Sequence, residues 1–309
     1  MKKIKSFTLI ELLVVIVIIG ILAGVIMIST SSSIDKASIA KSKVFEESIQ
    51  NNLAANMVSR WTLDEIINTN KTPDQWGSNT GTLTGVNGLP ILQTNGCISN
   101  NCLLFDGTDD YVDFGNNSSL WIKTDDYTIS LWAKFTNLNA ADYETMIRTG
   151  LIGTGAGGPG YWIFRNLGTN ELALSFSDGS ATRISGVLSP SNYLKLNIWY
   201  NVVVVFDRDL VVEAYINGTK TEQSVNISSQ QGSVNHFENL KIGSYSSTSG
   251  RLKGLMDDVR LYNSKLSSSQ IKQNYIAGLN SLISTGTISK KEYDEEVNNL
   301  AKNEFKKLK

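Results

Sequence analysis

The sequence predicts an N-terminal membrane-spanning helix, an all-β antiparallel sandwich and a C-terminal helical hairpin, in that order. Three observations predict this arrangement. A long apolar run stands near the N-terminus, and two stripes of helical period close the chain. Between them the period changes to two from Trp61, and residues from about 76 to 262 show turn signals at short spacing and no helical pattern. With 309 residues, of which 41% are hydrophobic, the chain has room for about two domains with a sizeable core.

The composition excludes several classes of function. Lys and Arg number 28 and Asp and Glu 29, so the net charge is -1, whereas nucleic-acid-binding proteins usually carry a basic excess. We therefore expect no nucleic-acid partner. A zinc site would need two ligands beyond the two cysteines, and the single histidine, His236, supplies only one. We expect His236 to have a surface or structural role.

The N-terminal apolar run extends from Phe7 to Ile28 and contains one charge, Glu11. A helix over 7–28 is long enough to cross a bilayer, at about 1.5 Å per residue. Three lysines precede it, which places that end in the cytoplasm. A secretory signal peptide is the alternative, but its apolar core is usually only about 7–15 residues long and ends at a small-residue cleavage site.

Glu11 is informative because a carboxylate inside hydrocarbon is costly and is normally partnered. No Lys or Arg follows it before Lys36, so the nearest internal partner would be an amine created by cutting the chain. The stretch Lys5-Ser6-Phe7-Thr8-Leu9-Ile10-Glu11-Leu12-Leu13-Val14-Val15 resembles the N-terminus of type IV prepilins and pseudopilins.

This resemblance implies that a prepilin peptidase cuts between Ser6 and Phe7, and that Phe7 becomes a methylated N-terminus. It also implies that Glu11 pairs with the N-terminal amine of a neighbouring pilin subunit. Ser6 stands where the family usually has Gly. An ordinary signal anchor with an isolated Glu is the alternative interpretation.

The helix is expected to continue beyond the membrane. Phe45, Ile49, Leu53 and Met57 recur every four residues and predict an amphipathic extension. We therefore predict a leader over 1–6 and a pilin-type helix over 7–58.

The middle of the chain shows strand patterns. Residues 127–135 alternate, with Tyr127, Ile129, Leu131, Ala133 and Phe135 on one face, and 199–206 form a continuous β-branched run that predicts a buried strand. Two hairpins are predicted: 211–216 with 219–221 around a type I′ turn at Asn217-Gly218, and 172–176 with 181–184 around Asp178-Gly179.

Six segments occur in order along the predicted sandwich: Trp61-Thr62-Leu63-Asp64-Glu65, Gly81-Thr82-Leu83, Leu104-Phe105-Asp106-Gly107-Thr108-Asp109-Asp110-Tyr111-Val112, Tyr127-Thr128-Ile129-Ser130-Leu131-Trp132, Tyr215-Ile216-Asn217-Gly218 and Gly254-Leu255-Met256-Asp257-Asp258-Val259-Arg260-Leu261-Tyr262-Asn263. Together they resemble the laminin G-like, concanavalin A-like jelly roll of bacterial surface proteins. The resemblance predicts a jelly-roll domain over 59–276, followed by a helical tail over 277–309. It implies a domain that binds sugar or protein, often with a structural calcium ion.

The same fold carries glycoside hydrolases, which need two carboxylates facing one glycosidic bond, often as Glu-x-Asp-x-x-Glu on one strand. No such spacing occurs in the predicted sandwich, where Glu213 is isolated among apolar residues. We therefore expect no enzyme activity.

Two groups of carboxylates are candidate calcium ligands, because hard oxygen donors suit this ion. They are Asp106, Asp109 and Asp110 in one turn, and Asp257 and Asp258 in the predicted last strand. We expect the two groups to converge on one ion. The alternative is turn chemistry, since Asp in tight turns bonds its own backbone.

Cys97 and Cys102 are close in the sequence, and a disulfide is the natural pairing if this domain lies outside the cytoplasm. In the tail, Ser267 with Gln270 and Ser289 with Glu292 have the form of capping boxes, and Gly286 lies where a helix should end. Two apolar stripes of helical period complete the hairpin: Ile271, Tyr275, Leu279, Leu282 and Ile283, then Tyr293, Val297, Leu300, Ala301 and Leu308.

Together these patterns predict a minor pilin or pseudopilin, anchored in the cytoplasmic membrane by one span, with an extracytoplasmic head exposed on the cell surface or on a pilus. We expect the head to bind a glycan or a surface protein in adhesion. A structural tip or cap that binds nothing is the alternative, and a surface glycosidase is less favoured.

Overall fold

The computed structural model describes Val44, Ser48 and the ranges 53–136, 143–150, 158–180, 182–235, 238–244 and 249–307. Contacts divide the chain into two units, Met1–Glu47 and Ser48–Lys309. Ser6, Phe7, Glu11, the predicted membrane span and His236 lie outside the described residues. Within the described ranges, no helix combines the length and apolar character needed to cross a membrane.

Two antiparallel sheets form the second unit, and each has eight strands in the described ranges. The first sheet has the spatial order β14 (Thr219–Asn226), β13 (Val211–Ile216), β12 (Trp199–Phe206), β7 (Tyr127–Phe135), β16 (Lys253–Tyr262), β5 (Cys102–Asp106) and β4 (Ile91–Gln93), and β1 (Met57–Trp61) also pairs with β16. The second has the order β11 (Ile184–Val187), β10 (Glu171–Ser177), β9 (Gly160–Asn166), β8 (Tyr143–Thr149), β15 (Lys241–Ile242), β6 (Tyr111–Asp113), β3 (Gly81–Thr84) and β2 (Lys71–Thr72). The predicted all-β antiparallel sandwich is confirmed.

The main core contains the inward side chains of both sheets. On β7, the alternation predicts the core face correctly, since Tyr127, Ile129, Leu131, Ala133 and Phe135 are all buried in this core. Strand β12 is buried along almost its whole length, and it lies inside the sheet between β7 and β13.

Both predicted hairpins are present. Asn217 and Gly218 have φ values of 51° and 70°, as a type I′ turn requires at both central residues. The second hairpin pairs Phe176 with Ile184, so β11 begins at Ile184 and not at 181 as expected.

The domain boundaries differ from the predicted ones. Leu53 is helical and buried, but Met57, expected on the same helical stripe, lies in β1 opposite Tyr262. The sandwich therefore begins before the predicted boundary at 58/59, because pairing with β16 overrides the four-residue period. At the other end, one helix crosses the boundary expected at 276/277.

The two helices are α1 (Ser268–Ser284) and α2 (Lys290–Lys307). Both capping boxes are formed, at Ser267 with Gln270 and at Ser289 with Glu292. Gly286, with a φ of 71°, lies between the helices as predicted.

The helices pack on the outer face of the first sheet, where the rings of Trp132 and Tyr275 stack with their centroids 5.6 Å apart. Leu300 is buried in this contact, whereas Ala301, expected on the same stripe, is exposed.

Candidate functional site

The turn between β5 and β6 brings three carboxylates together. Asp106, Asp109 and Asp110 each place a carboxylate oxygen within 4.8 Å of the other two. Asp109 and Asp110 are buried, while Asp106 is exposed. The turn depends on Gly107, whose φ of 82° favours glycine.

Hydrogen bonds within the turn occupy part of these carboxylates. Asp106 accepts from the backbone N–H of Thr108 at 2.6 Å, and Asp110 accepts from that of Asp106 at 2.9 Å. One oxygen of Asp109 accepts from the side chain of Asn87 at 2.7 Å. The other oxygen, Oδ1, is buried and has no hydrogen-bond partner among the described residues. Turn chemistry explains the satisfied oxygens but not this one.

The pKa of Asp110 reflects both burial and the neighbouring charges of this turn. The pKa of Asp110 is raised to about 6, and burial is the largest cause. The charges of Asp106 and Asp109 also raise this pKa, whereas the hydrogen bond from the backbone of Asp106 and the charge of Arg251 lower it. A divalent cation would neutralise this crowding, and three carboxylates form the hard oxygen set that calcium prefers. The residues of the turn therefore fit a calcium ion.

The strand register does not bring Asp257 and Asp258 to this turn, which corrects the expected convergence. Strands β5 and β16 are neighbours, but Asp106 pairs with Lys253 and Leu103 pairs with Met256. Asp257 and Asp258 therefore lie towards the opposite end of β5.

Asp258 already forms ion pairs with two arginine side chains. It accepts from Arg60 at 3.0 Å and forms a close ion pair with Arg260. Burial alone would raise the pKa of Asp258, but the charges and hydrogen bonds of the two arginines outweigh it and lower the pKa to about 2. Arg260 also donates to Asn274 of α1 at 3.0 Å. Asp258 thus connects β1 to Arg260 of β16, and Arg260 extends the network to α1, so Asp258 is not free to hold calcium.

Asp257 supports the disulfide loop. Cys97 and Cys102 are bonded, as predicted. The fully buried carboxylate of Asp257 accepts from the backbone N–H of Ile98 at 2.9 Å, and burial raises its pKa well above the usual range. Asp64 holds the other end of the loop by accepting from the N–H of Asn101 at 2.9 Å. The loop is therefore fixed by one covalent bond and two carboxylates.

A further cluster lies on the outer face of the second sheet. The rings of Trp162 and Phe164 stack with centroids 4.0 Å apart, and Tyr143 meets them edge-on at 5.1 and 5.0 Å. Tyr143 is 43% exposed, whereas the other two rings are buried. This cluster was not predicted from the sequence. Its signal is a strand with large apolar side chains on both faces, Tyr161 and Ile163 inward and Trp162 and Phe164 outward.

The family comparison agrees with this architecture. Residues 106–272, more than half of the chain, match the family described as the concanavalin A-like lectin/glucanases superfamily. This chain belongs to that superfamily. Residues 1–27 match a second family, the prokaryotic N-terminal methylation motif. The chain thus joins a type IV pilin-type N-terminus to a concanavalin A-like domain, and no curated protein sequence matches it significantly.

Solved structures share the fold of this concanavalin A-like chain. The binding domain of Paraclostridial Mosquitocidal Protein 1 matches with a TM-score of 0.57 at 17% identity, over 74% of this chain and 53% of that one. The binding domain of botulinum neurotoxin serotype D matches with a TM-score of 0.55 at 17% identity, over 75% and 53%. A structure of the serotype D ligand-binding domain in complex with N-acetylneuraminic acid matches with a TM-score of 0.55 at 16% identity, over the same shares. The chain spans about half the length of these proteins.

Proposed function

We propose that this protein is a minor pilin or pseudopilin whose head binds a glycan or a surface protein in adhesion. One observation carries this proposal: a single chain joins an N-terminal methylation motif to a concanavalin A-like domain. The methylation motif would direct assembly with other pilin subunits, and the concanavalin A-like domain would provide the binding surface. The proposed function needs both parts.

In this function, a prepilin peptidase cuts between Ser6 and Phe7, and Glu11 pairs with the amine of a neighbouring subunit. The protein is held in the cytoplasmic membrane by its N-terminal helix before assembly, with the head outside. The Cys97–Cys102 disulfide supports an extracytoplasmic head, because such bonds persist in oxidising compartments.

A glycan is the ligand class we favour for the head. One structure with this fold is a complex with N-acetylneuraminic acid, which supports a sugar ligand for the fold. We also propose that the turn of Asp106, Asp109 and Asp110 holds a structural calcium ion. The unpartnered Oδ1 of Asp109 supports this assignment.

Hydrolysis is not part of this function. Glu213, the carboxylate on β13, is ion-paired with Lys220 of the adjacent strand. Release of labelled sugar from a polysaccharide by the purified protein would contradict a purely binding role.

Two measurements test the proposed function. Mass spectrometry of the intact protein from its own membrane should show loss of Met1–Ser6 and one added methyl group on Phe7. A glycan array probed with the full-length protein in detergent should give saturable binding. A chain that still begins at Met1 would contradict the pilin assignment, whereas a processed chain that binds neither glycans nor cell surfaces would leave a structural tip subunit.

A further inference from the structure

An open cleft lies between helix α2 and the turn that joins β13 to β14. Its volume is about 370 Å³, within the range of about 300–1,000 Å³ typical of small-ligand sites. Its lining includes Tyr193, Asn217, Glu296, Asn299 and Lys302. It is far in sequence from the acidic turn and lies on the first sheet, not on the sheet that carries Tyr143.

The β13–β14 turn forms one wall of the cleft in a fixed conformation. The Oδ1 of Asn217 accepts from the backbone N–H of Asn201 at 3.0 Å, and the N–H of Asn217 donates to the carbonyl of Asn201 at 2.9 Å. The amide group of Asn217 is therefore held in place by its neighbour strand. Its two side-chain N–H groups are donors for which the described residues provide no hydrogen bond.

Helix α2 supplies the acidic group of the cleft. Glu296 is half-buried and accepts from the hydroxyl of Tyr275 at 2.9 Å. Burial raises the pKa of Tyr193, and the charges of Tyr200 and Glu296 add to the rise. The charge of Glu296 therefore affects the pKa of Tyr193, and the hydrogen bond from Tyr275 holds the Glu296 carboxylate in place. One turn along the helix, Asn299 adds an exposed amide.

We propose that this cleft is a saccharide site that takes one neutral pyranose ring. Tyr193, with 38% of its surface exposed, offers an aromatic face for the apolar C–H groups of the sugar. Glu296 accepts from sugar hydroxyls, and the amides of Asn217 and Asn299 donate to them. This assignment rests on the proposed glycan-binding function and names the site that would perform it.

The charges in the cleft favour a neutral sugar. Glu296 is half-buried, whereas Lys302 is exposed, so solvent screens the repulsion between Glu296 and another anion less than it screens the charge of Lys302. A sialic acid or uronic acid would bring a second carboxylate next to Glu296. A neutral sugar is not repelled, and its hydroxyls can still donate hydrogen bonds to the carboxylate of Glu296.

The test uses the full-length protein in detergent and four immobilised probes: lactose, maltotriose, triacetylchitotriose and 3′-sialyllactose. We expect at least one neutral probe to bind, and 3′-sialyllactose to bind no better than lactose. Tyr193→Ala and Glu296→Gln should each weaken that binding by tenfold or more. Tyr143→Ala is the matched control, because it removes a similarly exposed tyrosine from the other sheet, and it should leave binding unchanged.

The outcomes distinguish a wrong choice of site from a wrong choice of function. Loss of binding in Tyr143→Ala with none in Tyr193→Ala would move the sugar to the second sheet and overturn the cleft, while glycan binding would stand. Unchanged binding in all three variants, or a preference for 3′-sialyllactose, would also overturn the cleft as a neutral-sugar site. A wild-type protein that binds none of the four probes and gives no signal on the glycan array would overturn the glycan-binding function itself. A thermal melt of each variant shows whether a loss of binding comes from the site or from unfolding of the protein.

Discussion

Gly218 of the β13–β14 turn lies directly beneath Tyr275 of helix α1. A Cβ atom placed at Gly218 would lie 3.1 Å from a ring carbon of Tyr275 and 3.2 Å from a methyl carbon of Leu300 in α2. Both helices therefore rest on the backbone of a turn that has no side chain at this point. The helical hairpin and the cleft beside it depend on this close approach.

Gly218→Ala should destabilise the protein more than Gly286→Ala. Both glycines have nearly the same positive φ, 70° and 71°, so the backbone strain of roughly 1–2 kcal/mol is matched. A Cβ at Gly286 meets no atom within 4 Å, whereas one at Gly218 crowds the two helices, and overpacking typically costs about 1–3 kcal/mol more. Denaturant unfolding of both variants measures the difference. Equal losses in the free energy of unfolding would mean that the two helices shift to accommodate the new Cβ atom at no energetic cost.

Reduction of the disulfide should lower the melting temperature. A bond between Cys97 and Cys102 closes a short loop, and the chain-entropy estimate for such a loop is about 2 kcal/mol. For a domain of this size, that corresponds to about 4–8 °C. Melts with and without reductant give the shift, and a Cys97→Ser/Cys102→Ser double variant should melt like the reduced protein and ignore the reductant. Free thiols in protein purified from its native membrane would contradict the assignment.

Local patterns in the sequence predict some of the strands, because those strands contain their own period. The alternation over 127–135 predicts both the bounds of β7 and its inward face, and Asn217-Gly218 predicts the type I′ turn, because both depend on residues that are adjacent in the chain. Met57 departs from its pattern because its partner, Tyr262, is far away in the sequence. A four-residue period cannot reveal a competing strand of this kind.

Register explains why the candidate site was only partly predictable. Asp106, Asp109 and Asp110 are within one turn, so their approach follows from the local sequence. Whether Asp257 joins them depends on the alignment of β5 against β16, and that alignment places Lys253 opposite Asp106. The cleft at Glu296 is harder still to predict, because three segments that are distant in the sequence meet there.

Calcium should stabilise the protein, and Asp109 should be required. An ion at a hundredfold excess over its Kd stabilises the fold by about 2.7 kcal/mol. Melts in EDTA and in millimolar calcium should differ by several degrees for the wild type. Asp109→Asn keeps an acceptor for Asn87 but removes the charge, and it should abolish the difference. Asp125→Asn, which removes an exposed carboxylate elsewhere, is the control and should respond like the wild type. Identical melts of the wild type in EDTA and in calcium would mean that the three carboxylates only stabilise the turn and bind no calcium.

Without divalent cations, Asp110 should make stability fall as the pH rises from about 4 to about 6. The pKa of Asp110 is raised to about 6 in the folded state, so between these values the folded protein holds a proton that the unfolded chain has released. The stabilisation from this proton is complete below pH 4 and is lost as the pH rises through 6. A folded-state pKa of about 6, against an ordinary value of 3.8, corresponds to at most about 3 kcal/mol, and solvent screening of the carboxyl reduces this value. The comparison is with Asp110→Asn, in which this part of the pH dependence should disappear. Parallel profiles for the two proteins between pH 4 and 7 would show that Asp110 titrates normally.

Glu11→Ala should leave membrane insertion intact but reduce assembly. A carboxylate in the bilayer interior is costly, so its removal makes insertion easier, whereas the same change deletes the partner for the amine of the next subunit. The measurement is the ratio of filament-associated to membrane-embedded protein in cells that carry the assembly system. Glu46→Ala removes a carboxylate outside the predicted 7–28 span and should assemble like the wild type. If Glu11→Ala enters filaments at the wild-type ratio, the carboxylate does not pair with a neighbouring amine, and its place in the apolar segment needs another cause.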